Sequence, residues 1–364
     1  MHYDPNPVPD EIRQRVEQAS SIAFVDGIMK DVLHQQYPAL ATIEKIQRLK
    51  HKRRKGVHHS TFIYSYIFSG TTVDGSPFVK HLVYSAHTDD SRLRNYTNLH
   101  LLIDNGFNTG PYRVIVPVEY IENLHALIYE GVPGKTILEY LRKQLPPLDL
   151  TNLMVQTAQW AAKFHQFAVP TVALKNVQAF DPLATSFALA QLQSRVTTNS
   201  QEQGEKLHHF IVAFAKLEQS LRVTYTPSLV YGDLHPENVI TRDLQAQNLT
   251  VIDFTDISVG DQLRDVGTFL QQFNFMARNF YEATAVQQLR TTFLESYFKQ
   301  PLATIPINSL VRINLYQAWN SLRGFTWLYF GDDPQRLPYG LLEDAWLYLS
   351  LAIEQQRSIT IQYK

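Results

Sequence analysis

The pattern of hydrophobic and polar positions changes about one third of the way along the chain. TFIYSYIF alternates between its two faces and is rich in aromatic and β-branched residues, and a similar segment, PFVKHLVY, follows after the turn TTVDGS. This pattern predicts a β-hairpin. Residues 90–106 then carry apolar side chains at the spacing of one helix face, and YRVIVPV and LHALIYE are typical of strands. Residues 1–130 therefore predict a small antiparallel sheet with one helix.

After GVPGKT the apolar residues recur at helical spacing. Amphipathic or buried helices are predicted for LDLTNLMVQTAQWAAKFHQF, EKLHHFIVAFAKLEQSL, QLRDVGTFLQQFNFMA, SLVRINLYQAWNSLRGFTWLYF and GLLEDAWLYLSLAIEQ. Only PSLVY and LTVIDF are extended, and both are short. Residues 131–364 therefore predict a mainly helical lobe with a two-strand insert, and the whole chain predicts an α+β fold of two lobes.

Composition narrows the class of protein. The chain has 364 residues and a net charge of −1, so no overall field favours nucleic acid or an anionic membrane. It has no cysteine, which excludes disulfides, thiolate metal sites and a cysteine nucleophile. No apolar run approaches the roughly 18 residues of a membrane span. We expect a cytoplasmic protein, a monomer or homodimer, without nucleic-acid or membrane partners.

Polar residues follow each of the two short strands of the helical lobe. Asp233 and Asn238 lie in GDLHPEN after the first strand, and Asp253 ends the second. Pairing of these strands would bring the three side chains to one end. Carboxylate and amide oxygens suit Mg²⁺, and a carboxylate beside the metal can accept or orient a hydroxyl proton. A plain polar loop is the alternative, but IDFTD and GDQLRDVG downstream favour a phosphoryl-transfer site.

The segments YGDLHPENVI and LTVIDFTDISVGDQLRDVG resemble the catalytic segment of the aminoglycoside phosphotransferase and choline kinase-like superfamily, relatives of the protein kinases. The resemblance implies a protein-kinase-like fold. FVKHLV is similar to the strand whose lysine holds the nucleotide phosphates, which implies that role for Lys80. LIYEGVPGKTI is similar to the hinge and implies that Glu130 lies near the adenine site.

The same resemblance implies roles for five residues of the helical lobe. GDLHPEN would supply Asp233 as the catalytic base and Asn238 as a metal ligand. IDFTD would supply Asp253 as the main Mg²⁺ ligand. AAKFHQF would supply His165, in the helix before the catalytic loop, and GDQLRDVG would supply Asp265 as a supporting residue.

The sequence departs from the family pattern twice. Asn95 stands where the helix should carry a glutamate partner for Lys80, so either Asp89 or Asp90 pairs with Lys80 or the lysine is held less firmly. The candidate phosphate-covering loop, LKHKRRKGVHHS, has only Gly56. Its basic run can be a solvated hairpin turn, a triphosphate contact or, least favoured, a nucleic-acid contact.

GVPGKT lacks the glycine spacing of a Walker loop and indicates a turn with Thr136 capping the next helix.

Structural or supporting roles are predicted for the remaining polar residues. We expect His165 to be a buried histidine that steadies the catalytic loop, and His235 to position rather than transfer protons. Asp256 is either a supporting metal-site residue or an exposed loop residue. Asp265 can alternatively cap the helix that it precedes.

The acceptor site is expected among the C-terminal helices. An aromatic cage for a quaternary ammonium, acidic contacts to a polycationic sugar, or simple helix packing are all compatible with RGFTWLYFGDDPQRLPYGLLED. The residues concerned are Trp319, Trp327, Tyr329, Asp332, Asp333, Glu343 and Asp344.

These observations predict a Mg²⁺-dependent kinase that transfers the γ-phosphate of ATP or GTP to a hydroxyl of a small metabolite or aminoglycoside-like acceptor. The glycine-poor loop and Asn95 motivate one alternative, an attenuated pseudokinase or nucleotide-binding scaffold that acts through a protein partner.

Overall fold

The computed structural model describes residues 8–55, 59–167, 177, 179–180, 182, 189–245, 247–330 and 338–362. The chain divides into two compact units. The first unit contains Asp4–Gly134 and Thr250–Asp256, and the second contains Lys135–Leu249 and Ile257–Lys364. The segment that carries Asp253 is thus part of the unit formed by the N-terminal sheet.

The first unit is built on an antiparallel sheet. Its strands are β1 Leu40–Arg54, β2 Thr61–Thr72, β3 Pro77–His87, β4 Tyr112–Val114, β5 Pro117–Ile121 and β6 Ala126–Glu130. Five of these strands form the sheet, in the order β1-β2-β3-β6-β5. Leu82 of β3 lies opposite Glu130 of β6, and Ala86 lies opposite Ala126.

Alternation along β2 and β3 gives this sheet one fully buried face. Phe62, Tyr64, Tyr66 and Phe68 of β2 are buried on it, together with even-numbered residues of β3. They pack against two helices, α1 Asp10–Glu17 and α2 Ile22–Gln36, in one hydrophobic core. The intervening residues of β2 are only partly buried, so the opposite face of the sheet is the more open one.

Helix α3, Ser91–Asp104, packs against β3, β5 and β6. The carboxylate of Asp89 accepts the backbone N–H of Ser91 at 3.0 Å, which satisfies one free amide at the start of the helix. The side-chain amide of Asn98 donates to the carbonyl of Phe254 at 2.7 Å. This bond ties the segment Thr250–Asp256 to α3 within the first unit.

The second unit is mainly helical. Its helices are α4 Ile137–Arg142, α5 Pro147–Gln166, α6 Leu189–Asn199, α7 Gln201–Leu221, α8 Leu263–Ala277, α9 Ala283–Phe298, α10 Ile307–Tyr329 and α11 Tyr339–Gln362. The short strands are β7 Lys135–Thr136, β8 Ser228–Val230, β9 Val239–Thr241 and β11 Ser258–Gly260. Strand β10, Leu249–Val251, begins in this unit and ends in the Thr250–Asp256 segment of the first unit. Strand β7 pairs with β9 and β8 pairs with β11, both antiparallel. The predicted pairing of PSLVY with LTVIDF is therefore wrong, because β8 and β10 belong to different sheets.

The core of the second unit lies between α7, α10 and α11. Trp319 of α10 is 1% exposed and stacks on Phe214 of α7, with the ring centroids 5.3 Å apart. Leu342 and Leu349 of α11 complete the same cluster. These helices therefore hold one another through aromatic and aliphatic packing.

The predicted α+β class, with a small antiparallel sheet followed by helices, is confirmed. Thr136 caps α4 in a capping box with Glu139, as predicted. We did not predict α1, α2, α6, α9 or β1. Strand β1 is an edge strand, and most of its described side chains are exposed, so it lacks the alternation of a half-buried strand. In the described residues, no helix has both the length and the apolar character to cross a membrane.

Candidate active site

The predicted catalytic loop runs from the end of β8 to the start of β9. Gly232 has φ = 90°, a left-handed conformation that glycine adopts without steric cost. This glycine separates the buried Tyr231 from Asp233, the first polar residue of the loop. The backbone N–H of Asn238 donates to the carbonyl of His235 at 2.9 Å, which closes the loop.

Asp265 anchors the start of this loop. Its carboxylate accepts the backbone N–H of Tyr231 and that of Gly232, each at 2.7 Å. The same carboxylate lies 2.9 Å from Nε2 of His165, and Nδ1 of that histidine lies 2.8 Å from the hydroxyl of Tyr297. A carboxylate can only accept, so Nε2 carries the proton and the Tyr297 hydroxyl donates to Nδ1. Asp265 is thus directed at the loop rather than capping its own helix.

Asp233 is surrounded by basic groups. Nε2 of His235 lies 3.4 Å from one carboxylate oxygen, and the Arg323 guanidinium lies 4.0 Å from the other. Burial acts to raise the pKa of Asp233, but His235 and Arg323 outweigh it and hold the pKa below its ordinary value. Asp233 is therefore ionised at neutral pH.

Two arginines support the loop through one carbonyl. Arg264 of α8 and Arg323 of α10 each donate to the carbonyl of Gly232 at 3.3 Å. Arg264 also stacks on the ring of Phe180, with its guanidinium carbon 3.7 Å from the ring centroid. We did not predict Arg264 or Arg323. Arg264 lies in the segment GDQLRDVG, from which only Asp265 was selected. No local motif marks Arg323, because it reaches the loop from a distant helix.

Asn238 is held to the loop through its side-chain nitrogen. Its amide nitrogen donates to the hydroxyl of Tyr231 and to the backbone carbonyl of Asp233, both at 3.1 Å. These contacts identify which end of the amide is the nitrogen. The oxygen atom is the end that suits a hard cation.

Asp253, in the first unit, has φ = 63°, a conformation that is strained for a residue with a side chain. Its carboxylate accepts the hydroxyl of Thr255 at 2.6 Å and the side-chain amide of Asn95 at 3.4 Å. The oxygen of the same Asn95 amide accepts the backbone N–H of Phe254 at 3.0 Å. Asn95 therefore holds the Asp253 turn to α3.

Arg92 is the strongest partner of Asp253. Its guanidinium donates to the two carboxylate oxygens at 3.1 and 3.3 Å, to the hydroxyl of Thr255 at 3.3 Å and to that of Ser85 at 3.4 Å. Arg92 is 5% exposed. No local sequence pattern indicates this contact, because it spans 161 residues.

Lys80 lies in a different environment from the one predicted. Its ammonium pairs with the carboxylate of Glu130 and lies 4.8 Å from the ring centroid of Tyr37, whose hydroxyl donates to Glu130 at 3.2 Å. Burial acts to lower the pKa of Lys80, but Glu130 and Tyr37 raise it above its ordinary value. The expected pairing with Asp89 or Asp90 is wrong.

Those two aspartates have other partners among the described residues. Asp90 pairs with Arg94 at 3.4 Å, within α3. Asp89, besides its bond to Ser91, lies 3.6 Å from Nδ1 of His59 and 4.0 Å from Nδ1 of His87. Burial lowers the pKa of both histidines, that of His87 well below its ordinary value.

Three other features of the sequence prediction are Gly56, the basic run before it and Asp256. Gly56 lies outside the described residues. The basic run before it continues β1, in which Lys52 lies opposite Ile63 and Arg54 opposite Thr61 of β2. The run is therefore strand through Arg54 rather than a hairpin turn. Asp256 lies in the turn after Asp253 and is partly buried.

The predicted acceptor residues are dispersed. Trp319 is in the core and cannot form a cage, while Trp327 is 44% exposed. Asp344 pairs with Arg278 at 3.1 Å, and the hydroxyl of Tyr329 donates to the carbonyl of Arg195. Glu343 is exposed. Asp332 and Asp333 lie outside the described residues.

The comparison with protein families matches the model described as the phosphotransferase enzyme family over residues 85–304, more than half of the chain. The chain belongs to this family. The match includes the Asp233 loop, the Asp253 turn, Asp265 and α3 with Arg92. No curated protein sequence matches the chain.

Solved structures of low sequence identity share the fold. The ADP-bound aminoglycoside phosphotransferase APH(2'')-Ib is 18% identical, with a TM-score of 0.53 over 89% of this chain and 97% of that one. The choline kinase LicA from Streptococcus pneumoniae is 14% identical, with a TM-score of 0.53 over 90% and 99%. A Plasmodium vivax ethanolamine kinase is 11% identical, with a TM-score of 0.53 over 85% and 83%. The predicted kinase-like fold is confirmed.

The two residues predicted as Mg²⁺ ligands, Asn238 and Asp253, have suitable chemistry. Asn238 offers an amide oxygen whose nitrogen is already engaged, and the Asp253 side chain is 34% exposed and offers carboxylate oxygens. Both are hard oxygen donors of the kind that Mg²⁺ selects. The donor set therefore fits the metal.

Proposed function

We propose that the protein is a nucleotide-dependent kinase that phosphorylates a hydroxyl group of a small molecule, with ATP or GTP as the donor. The observation that carries the proposal is the anchored loop of the second unit. Asp265 holds the backbone of Tyr231 and Gly232, and the loop presents an ionised carboxylate and an oriented amide oxygen on Asp233 and Asn238. Membership of the phosphotransferase family supports the reaction class.

Asp233 is the group that orients the acceptor. Its carboxylate accepts a hydrogen bond from the acceptor hydroxyl and takes the proton as the new oxygen–phosphorus bond forms. The bond between the γ-phosphorus and the β,γ-bridging oxygen breaks, and the nucleoside diphosphate leaves. Because its pKa is low, Asp233 is a weak base, so proton transfer is late and positioning provides most of its effect.

Asn238 and Asp253 are the proposed Mg²⁺ ligands. Bound Mg²⁺ would supply positive charge to the β- and γ-phosphate oxygens. The chain contributes the orientation of these ligands: Tyr231 fixes the amide of Asn238, and Asn95 and Thr255 fix the carboxylate of Asp253.

The test is transfer of labelled γ-phosphate from ATP and GTP to pooled hydroxyl metabolites, cholines and aminoglycosides in the presence of Mg²⁺. Asp233→Asn runs beside the parent, with the exposed Asp104→Asn as a matched control. Label that appears in one pool, persists in the control and disappears in Asp233→Asn supports the kinase. Transfer that is unchanged in Asp233→Asn contradicts it.

A nucleotide-binding scaffold is the second candidate. The observation that favours it is the ion pair between Arg92 and Asp253, since a guanidinium on this carboxylate competes with a metal ion. A parent protein that binds Mg·ATP or Mg·GTP but transfers phosphate to no pool would support the scaffold over the kinase.

A further inference from the structure

Lys80 and Arg92, the partner of Asp253, lie on opposite faces of the N-terminal sheet. Lys80 has the same parity along β3 as Leu82 and Tyr84, which are fully buried against α1 and α2. Its partner Tyr37 directly follows α2. Ser85 has the opposite parity, and its hydroxyl contacts Arg92. Because successive residues of a strand face opposite sides, the two side chains project from different faces.

The two positions are also far apart along the strand. Ser85 is five positions after Lys80 along β3, which corresponds to about 16 Å in an extended strand. Lys80 lies beyond the paired stretch of β3 and β6, which begins at Leu82 opposite Glu130. The Lys80 ammonium is moreover paired with the carboxylate of Glu130, which lies on the same face of the sheet. Lys80 is therefore poorly placed to serve a nucleotide bound at Asp253.

Arg92 is placed where that cation is needed. It lies on α3 one turn before Asn95, on the side of the sheet from which Ser85 projects, and one nitrogen of its guanidinium donates to both carboxylate oxygens of Asp253. Arginine keeps its charge when buried and matches the geometry of phosphate oxygens. A nucleotide whose metal is held by Asp253 would bring its phosphates to this group.

The position of Arg92 in α3 does not favour the stability of the folded protein. It is the second residue of the helix, where the helix dipole opposes a positive charge, and its guanidinium is almost completely buried. Burying a charge costs free energy unless the charge is well paired. The Asp253 carboxylate offsets the burial of the charge, but the unfavourable helix dipole remains. A site that accepts this cost in order to place a guanidinium beside a proposed metal ligand has the character of a binding site.

We propose that Arg92, and not Lys80, is the cation that binds the nucleotide phosphates in this protein. The inference rests on the proposed function for the identity of the ligand, a nucleoside triphosphate. Arg92 donates N–H groups to the phosphate oxygens while Ser85 and Thr255 hold the guanidinium plane. Lys80, Glu130 and Tyr37 form a structural contact on the other face of the sheet.

The experiment compares Arg92→Met with Lys80→Met in the full-length protein, with Arg92→Lys as the conservative variant. Calorimetry measures the Kd of Mg·ATP and of Mg·GTP. Loss of a hydrogen-bonded charge weakens binding by about 10-fold to 100-fold, which we expect for Arg92→Met, with a smaller loss for Arg92→Lys. We expect Lys80→Met to change the Kd by less than about twofold.

A second measurement separates binding from folding, because removal of Arg92 leaves the Asp253 carboxylate without its main partner. Guanidinium ion at low millimolar concentration is added to Arg92→Ala and to Lys80→Ala, at ionic strength matched with NaCl. We expect recovery of nucleotide affinity in Arg92→Ala alone. Recovery of the melting temperature without recovery of affinity would show a structural role and overturn the proposal.

The remaining outcomes are also decisive. Weak binding by Lys80→Met together with parental binding by Arg92→Met would overturn the inference. A parent that binds Mg·ATP but transfers phosphate to no acceptor removes the proposed kinase function, while the Kd values still decide between Arg92 and Lys80. A parent that binds neither nucleotide removes both proposals.

Discussion

The carboxylate of Asp265 accepts the Nε2–H of His165 at 2.9 Å, and both side chains are almost completely buried. The residues lie on α8 and α5, so this bond joins two helices of the second unit beneath the loop that carries Asp233. The same carboxylate accepts the amides of Tyr231 and Gly232. The backbone at the start of the loop is therefore held by one buried carboxylate, that of Asp265.

We expect Asp265→Ala to be strongly destabilising. It removes the acceptor of three N–H donors, and the loss of one partner from a buried charged network costs about 3–5 kcal/mol. Urea unfolding followed by tryptophan fluorescence measures the change. Asp265→Asn, which keeps the volume and one acceptor oxygen, should lose less. Equal stability of Asp265→Ala and the parent would show that the network does not hold the loop.

Asp233→Asn should lower the rate of phosphate transfer by about 100-fold or more, because the amide cannot take the acceptor proton. Nucleotide binding should be unchanged, since the proposed role of Asp233 concerns the acceptor. The measurements are kcat with the acceptor identified from the pools and the Kd of Mg·ATP. A large fall in nucleotide affinity would instead place Asp233 among the nucleotide-binding groups.

Asn238→Ala should raise the Mg²⁺ concentration for half-maximal activity by about tenfold or more, the effect typical of changes around a metal site. Activity is measured across a Mg²⁺ titration, and chelation with EDTA should abolish it in the parent. Asn248→Ala in the turn before β10 is a control at an exposed asparagine. An unchanged Mg²⁺ dependence in Asn238→Ala would exclude Asn238 as a ligand.

Stability should fall as the pH drops below about 6.5. Burial lowers the pKa of His87 well below that of an unfolded histidine, so between the two values the unfolded chain binds a proton that the folded chain does not. The expected loss is about 1 kcal/mol per pH unit per histidine. Thermal melts from pH 7.5 to 5.0 measure it, and His87→Gln should flatten the slope. A parent whose stability is constant over this range would contradict the buried, neutral His87.

The sequence predicted those parts of the fold whose signals are local. The alternation of TFIYSYIF and PFVKHLVY predicted β2 and β3, and the helical spacing that follows predicted α3. The strand β1 was not predicted, because an exposed edge strand has no buried face to impose a pattern. The turn around Gly232 and the order of polar residues in the loop were also readable from neighbouring residues.

The partners of the site residues were not readable in this way. Nothing near Asp253 in sequence indicates Arg92, and nothing near Gly232 indicates Arg264 or Arg323. The sequence does indicate the face of the sheet on which Lys80 lies, because it shares parity with Leu82 and Tyr84, whose side chains belong to the apolar face of the hairpin.

Local sequence patterns predict the α+β class, the hairpin, α3, the helices α5, α7, α8, α10 and α11, and the family motifs that contain Asp233, Asn238 and Asp253. The tertiary structure alone decided which basic residue meets the Asp253 carboxylate. The physical reason is that strand register and face are set by packing against α1 and α2. A motif places a lysine on a strand, but the face on which it emerges depends on which alternate residues the distant helices bury.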